Sequence, residues 1–329
     1  MMTIKYYQYQ SCLAPFIEAL INQKRLEGFI YDTEEYHFKH IDAFCVAQKL
    51  LKPELTREFV MAWSEIRDTE GKAYRSRRIT VLRQLALYMQ SQGIEAYIPT
   101  KFCHKNHNVA HVLTDEEILE FFKIADNYRP KKKSIVFMRL SMVYRILFRI
   151  IYCCGLRISE ARKLKISDVD FNNGTLRISQ SKGRKDRIVY LAPDVLELCI
   201  EYRNLMDTVY YATSEWFFPA RNPNSVLSVG TIDLKFRQFW AKTSYAAVCG
   251  RAPTVHSLRY SYVVKRMNLW MEKSVALSSM MPYLSKYLGH SSPSDTFYYY
   301  HQVSAAFKII RDRDTLSAKV IPEVIIYEE

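Results

Sequence analysis

Glycine is scarce in this chain, with nine in 329 residues. A typical share of about 7% would give more than twice as many. Glycine supplies the sharp corners and left-handed backbone that loop-rich and all-β folds use repeatedly. A chain this poor in it is restricted to long elements with few tight turns, and those are helices. Hydrophobic residues at 49% and charged residues at 25% are globular proportions. The length points to about two domains with sizeable cores.

Periodicity divides the chain. Leu13, Phe16, Ile17, Leu20 and Ile21 recur at helical spacing. Further helices are expected over 33–51, 55–66 and 74–92, ended by Pro53, the 68–71 turn and Gly93. Residues 98–112 lack periodicity and read as a linker, after which Thr114-Asp-Glu-Glu117 has capping-box spacing. The expected domains are therefore 1–108 and 109–329. From Asp168 the period shortens to that of strands, over 168–171, 175–179 and 187–191. Asn173-Gly174 turns the first pair, and the basic SKGRKD turn joins the second pair. Helices return over 193–206, 230–243, 254–268, 282–288 and 293–300. The fold class is mainly α with one small antiparallel β-sheet.

Charge bears on partners. Lys and Arg number 47 against 34 Asp and Glu, a net +13. Residues 1–112 carry +3 of this and the remainder +10. Such an excess favours polyanions, nucleic acid first. Arg75, Arg77, Arg78 and Arg83 crowd the first half of the fourth helix, where cations oppose the helix dipole. An anionic partner would explain them, and a solvated face would do so equally well. Arg184 and Lys185 of the basic turn are further candidates for DNA contact. Seven cysteines without C-x-x-C spacing fit neither a disulfide framework nor a zinc site, so reduced intracellular thiols are expected. The start, MMTIKYYQYQSC, has no signal-peptide core. The most apolar stretch, 135–154, is interrupted by Arg139, Arg145 and Arg149, which makes it a buried helix and not a membrane span.

Four segments carry chemistry. Cys154-Gly-Leu-Arg157-Ile-Ser-Glu160 follows an apolar helix. Ser181-Lys182-Gly183 lies in the hairpin. His256-Ser-Leu-Arg259 puts two polar side chains on one helix face. Leu288-Gly289-His290 precedes Tyr298-Tyr299-Tyr300. Together they fit a phosphodiester site. Two guanidinium groups can clamp the phosphate oxygens, a tyrosine hydroxyl can attack, and a lysine on a hairpin can protonate the leaving alkoxide. No metal or other cofactor is expected. Taken singly, each segment has an ordinary structural explanation, such as a helix ion pair, a helix stop or tyrosine packing.

Their order and spacing resemble the tyrosine recombinase (phage integrase) family over roughly residues 109–305. The resemblance implies a catalytic domain preceded by a helical core-binding domain, the two clamping duplex DNA. It implies Arg157 and Arg259 as phosphate clamp and Lys182 as general acid. It further implies His256 as proton acceptor, His290 as hydrogen-bond donor to the phosphate and Tyr299 as nucleophile, with Glu160 orienting Arg157. Tyr299 is chosen from its triplet because it stands nine positions after His290. The implied activity is site-specific DNA breakage and rejoining through a 3′-phosphotyrosyl link, for a mobile element. The implied assembly is a homo-tetramer on two double-stranded DNA sites, with accessory recombination proteins as further partners. A cytoplasmic, nucleoid-associated location follows, with no membrane. A type IB topoisomerase-like enzyme would use the same chemistry without strand exchange, and a non-catalytic DNA-binding regulator would use the same fold. The apolar tail over 320–327 is expected to dock on a neighbouring protomer or on its own domain.

Overall fold

A computed structural model describes residues 7–100, 111–179, 186–210, 214–290 and 292–300. Lys182, Arg184, Lys185 and the apolar tail lie outside the described residues. The chain divides into two compact units, Met1–Asn108 and Val109–Glu329.

The first unit is helical: α1 (Ala14–Leu26), α2 (Asp32–Ala47), α3 (Arg57–Ser64) and α4 (Lys72–Ser91). Its core joins Leu13, Ile17 and Leu20 to Phe38 and Ile41 of α2, Trp63 of α3, and Leu82, Leu85 and Met89 of α4. Buried Asp42 accepts from the backbone N–H groups of Gln10 and Ser11, which fixes the entry into α1. Helix α2 stops at Ala47, short of the predicted Leu51. Lys49 takes a positive φ and Leu50 N–H returns to the Cys45 carbonyl, so the helix closes on itself before Pro53. Helix α3 begins at Arg57 because Thr56 caps it, accepting from Phe59 N–H. Leu55 instead bridges to Ala96.

The second unit is built on α6 (Ile135–Cys153), which carries ten buried residues. Around it pack α5 (Asp115–Asn127), α8 (Pro193–Thr208) and α10 (Val255–Glu272), with α9 (Val229–Trp240) against α5. The predicted capping box opens α5: Thr114 accepts from Glu117 N–H, and Glu117 accepts from Thr114 N–H. The arginines of α6 bond within the protein, although Arg145 Nε is buried without a partner. Arg139 donates to the carbonyls of Pro219 and Ala220, Arg145 to that of Tyr128, and Arg149 pairs with both Asp126 oxygens. Among the described residues no helix is long and apolar enough to cross a membrane.

The sheet is antiparallel in the order β1 (Val169–Asp170), β2 (Thr175–Ile178), β3 (Arg187–Tyr190). Leu176 pairs with Val189, and both are buried. Ile178 pairs with Arg187 on that same inward face, while Ile188 is 67% exposed. A short helix, α7 (Ile158–Arg162), follows Gly155 and was absent from the sequence reading. Helix α11 (Leu277–Leu288) starts before the predicted 282, because Pro282 sits inside it and does not open it. Helix α12 (Pro293–Tyr300) closes the described chain.

Candidate active site

Three helix ends bring the predicted residues together. Helix α6 ends at Gly155 with φ +62°, and Arg157 follows as the N-cap of α7. Glu160, at the third position of that helix, accepts from Arg157 N–H at 2.9 Å and from Arg157 Nη1 at 2.8 Å. Arg157 Nη2 donates to the Gly289 carbonyl at 3.1 Å. Helix α11 ends at Gly289 with φ +66°, and His290 N–H closes the turn on the Ser285 carbonyl. Arg259, in the second turn of α10, is fully buried. Its Nη1 donates to the Gly155 carbonyl at 2.7 Å and its Nη2 to the Leu288 carbonyl at 2.9 Å. One guanidinium thus ties two helix ends to a third helix.

A guanidinium has no acceptor, so the 2.9 Å contact of Arg259 Nη2 with His290 Nε2 makes that ring nitrogen the acceptor. His290 then carries its proton on Nδ1 and donates to Thr296, 2.6 Å away. Partial burial, reinforced by Arg259 and Arg157, pushes His290 down to about 4. His256 is shifted the same way by burial and by Arg259 and Arg157, although the residue is exposed to water, which tempers the effect. Burial lowers Arg259 as well. Its Nε makes no hydrogen bond although it is buried. Arg78, Arg145 and Arg162 each have a buried unpaired nitrogen too, so what sets Arg259 apart is the second guanidinium, Arg157, close enough to act on it.

Of the tyrosine triplet, Tyr299 turns inward at 7% exposure while Tyr298 is 43% exposed. The Tyr299 ring stacks on His290 at 5.5 Å and packs at a tilt against Tyr260 at 4.3 Å, with His256 at 6.4 Å. Its hydroxyl lies beside Arg259. Five of the six predicted catalytic positions are therefore gathered around one buried guanidinium, and the sixth, Lys182, lies outside the described residues.

The sequence reading missed three neighbours. Tyr260 shelves Tyr299, Thr296 fixes the His290 tautomer, and Arg187 grips Glu160 with both Nη atoms, at 3.0 and 2.8 Å. Strand alternation held the signal for Arg187, since it shares the parity of Val189 and Leu191. The DNA-contact candidates need one correction. Arg78 is fully buried, bonded to Glu70 and the Glu65 carbonyl and set over Trp63. It faces inward because α4 buries that stripe, so it is a core residue. Arg75 donates to the Ser64 carbonyl and Arg83 to that of Pro99, both half-buried, while Arg77 is exposed.

This arrangement of guanidinium groups, imidazoles and an inward tyrosine defines a phosphodiester-processing enzyme. The phage integrase family model matches residues 111–305, and the chain belongs to that family: it is a tyrosine recombinase. A Sinorhizobium fredii protein designated integrase/recombinase, y4rB, is 25% identical over 86% of this chain and 90% of its own length. The tyrosine recombinase XerC of Chlamydia muridarum is 30% identical over 51% of this chain, which spans only 49% of that protein. Among solved structures, the Tn1549 transposon integrase in complex with transposon right end DNA superposes at a TM-score of 0.61. That match has 15% identity and covers 92% of this chain and 99% of the other. A lambda integrase dimer bound to a COC′ core site gives 0.59 at 17% identity, covering 87% and 94%. At such identities the two structures speak to the fold.

Proposed function

We propose that the chain cleaves and rejoins duplex DNA at specific sites, with Tyr299 as nucleophile. The observation that carries this reading is the inward Tyr299, whose hydroxyl lies beside a buried Arg259 with an unpaired Nε. Arg157 and Arg259 hold the non-bridging oxygens of the scissile phosphate. Tyr299 Oη attacks phosphorus, the bond to the 5′-oxygen breaks, and a 3′-phosphotyrosyl link forms. His256, kept unprotonated by its surroundings, accepts the tyrosine proton. Lys182, assigned by motif, returns a proton to the departing 5′-oxygen. The 5′-hydroxyl of a partner strand then reverses the step. The phosphotyrosyl bond conserves the energy of the phosphodiester, so rejoining needs no nucleotide cofactor. For His290 to donate to the phosphate, Nε2 must exchange its bond from Arg259 for a proton.

Double-stranded DNA is the proposed substrate, engaged by a homo-tetramer on two sites, as with the lambda integrase tetramer bound to a Holliday junction. Movement of a mobile element is the proposed setting, and the likeness to y4rB over most of both lengths supports integration or recombination. Arg77 is an exposed cation of α4 proposed to meet DNA, with the half-buried Arg75 and Arg83 as further candidates. The test is covalent capture on nicked duplexes drawn from the DNA flanking the gene, followed by peptide mapping. Tyr299→Phe should bind DNA and form no adduct, and Tyr298→Phe should still form one. An adduct mapped to Tyr298 or Tyr300 overturns the choice of nucleophile. Relaxation of supercoils without a preferred site would favour a topoisomerase.

A further inference from the structure

Arg187 opens β3, opposite Ile178 on the buried face of the sheet, and its side chain is 7% exposed. It spends all three nitrogens at the active site. Nε donates to the Tyr287 carbonyl at 2.6 Å, and the two Nη atoms take one Glu160 oxygen each. Burial alone would raise the Glu160 carboxyl, yet it is held at about 2, with Arg187 the larger of the two stabilising partners and Arg157 the other. The Gly289 backbone is pressed between guanidiniums: a Cβ there would lie 2.9 Å from Arg187 Nη1 and 3.5 Å from Arg157 Nη1. Arg157, Arg187 and Arg259 thus converge on a single carboxylate, Glu160. Three guanidinium charges against one carboxylate leave a surplus of two positive charges. Attack on a phosphodiester monoanion builds a dianionic transition state, the charge this surplus matches. Without Arg187, Glu160 would neutralise Arg157 by itself.

We propose that Arg187 is a positioning residue for strand cleavage, engaging Glu160 so that the charge of Arg157 stays available to the phosphate and the end of α11 stays in place. The proposal rests on the recombinase reading above. Arg187 also opens β3, the strand that begins five positions after Lys182 in the sequence.

The experiment compares Arg187→Gln and Arg187→Lys with the unaltered chain on two nicked duplexes from the flanking DNA. One carries a normal scissile phosphate and the other a neutral methylphosphonate at that position. Arg187→Gln should slow adduct formation on the phosphodiester by about 100-fold, the scale of losing one transition-state donor. DNA affinity should stay within about two-fold. On the methylphosphonate, where no dianion develops, most of that loss should vanish. Arg187→Lys keeps the charge without the fork, should lose less, and carries the test if the glutamine variant fails to fold. Equal losses on both duplexes, or none on the phosphodiester, overturn the proposal. A DNA-free readout is the NMR titration of His290, which faces Arg259, Arg157, Asp295 and Arg187. Arg187→Gln should raise its midpoint by about half a pH unit while Arg187→Lys leaves it nearly in place, and no movement in the glutamine variant overturns the charge argument. An unaltered chain that forms no adduct on any flanking duplex counts against the recombinase reading, and the His290 titration still decides the role of Arg187.

Discussion

His290 shows what the site demands of a single residue. Its ring accepts from one cation, donates to Thr296 and supports Tyr299, so it is most useful when neutral. Neutrality has a stability consequence. The native ring protonates at about 4 against an ordinary value of 6.5. Between those limits the unfolded chain binds a proton that the native chain refuses, so stability falls as pH drops from 6.5 towards 4 and is complete above 6.5. The loss is at most about 3 kcal/mol and smaller to the extent that water reaches the ring. Glu160 acts with the opposite chemistry in a lower window. Its native value near 2 preserves stability above its ordinary 4.5 and gives it up only below that. Urea midpoints between pH 7.5 and 4.5 therefore isolate the imidazoles. The midpoint should decline across that range, and His290→Gln should flatten the decline. A profile unchanged by that substitution would show that His256 or another group carries it.

At the scale of elements, the site is made from helix ends, and two glycines set their geometry. Both hold a left-handed φ, which costs other residues about 1–2 kcal/mol. They differ in what a methyl group would meet. At Gly155 a Cβ falls 2.5 Å from a ring carbon of Tyr262, within the core, and at Gly289 it falls 2.9 Å from Arg187 Nη1. Gly155→Ala should thus fail mainly in folding, with about 1–3 kcal/mol of overpacking added to the backbone term. Gly289→Ala should keep most of its melting temperature and lose cleavage, because the atoms that give way are guanidinium. Melting curves beside adduct yields separate the two. These ends also mark how far the sequence was readable. Capping chemistry is local, so Thr114–Glu117 and the Gly289 stop were visible as patterns of spacing. The expected start at 282 fell late because Pro282 sits inside α11, an interior position that proline's own preference for the first turn does not signal. Arg187 and Glu160 are 27 positions apart, and their meeting depends on how the sheet docks, which no local pattern encodes. Arg78 went astray likewise, since the Glu70 and Trp63 that accept it belong to tertiary packing.

For the whole molecule the governing quantity is charge. A surplus of +13 cannot stabilise the fold, because like charges repel in the compact state, so it is tolerated for what it attracts. Binding to DNA should then release counterions, and the logarithm of affinity should fall linearly with the logarithm of salt, by about 0.9 for each phosphate neutralised. A slope near zero would remove the electrostatic basis of binding. The slope also resolves individual residues of α4. Arg77 is exposed, and Arg77→Gln should reduce the slope by about one while leaving the melting temperature alone. Arg78 is buried in its pair with Glu70. Arg78→Met should leave the slope unchanged and destabilise the first unit by about 1–3 kcal/mol, because Glu70 would lose its ion pair and keep the Arg67 N–H as a partner. If Arg78→Met flattened the slope and Arg77→Gln did not, the face of α4 turned to DNA would be the one now packed against Trp63. The first unit would then have to open before it could bind.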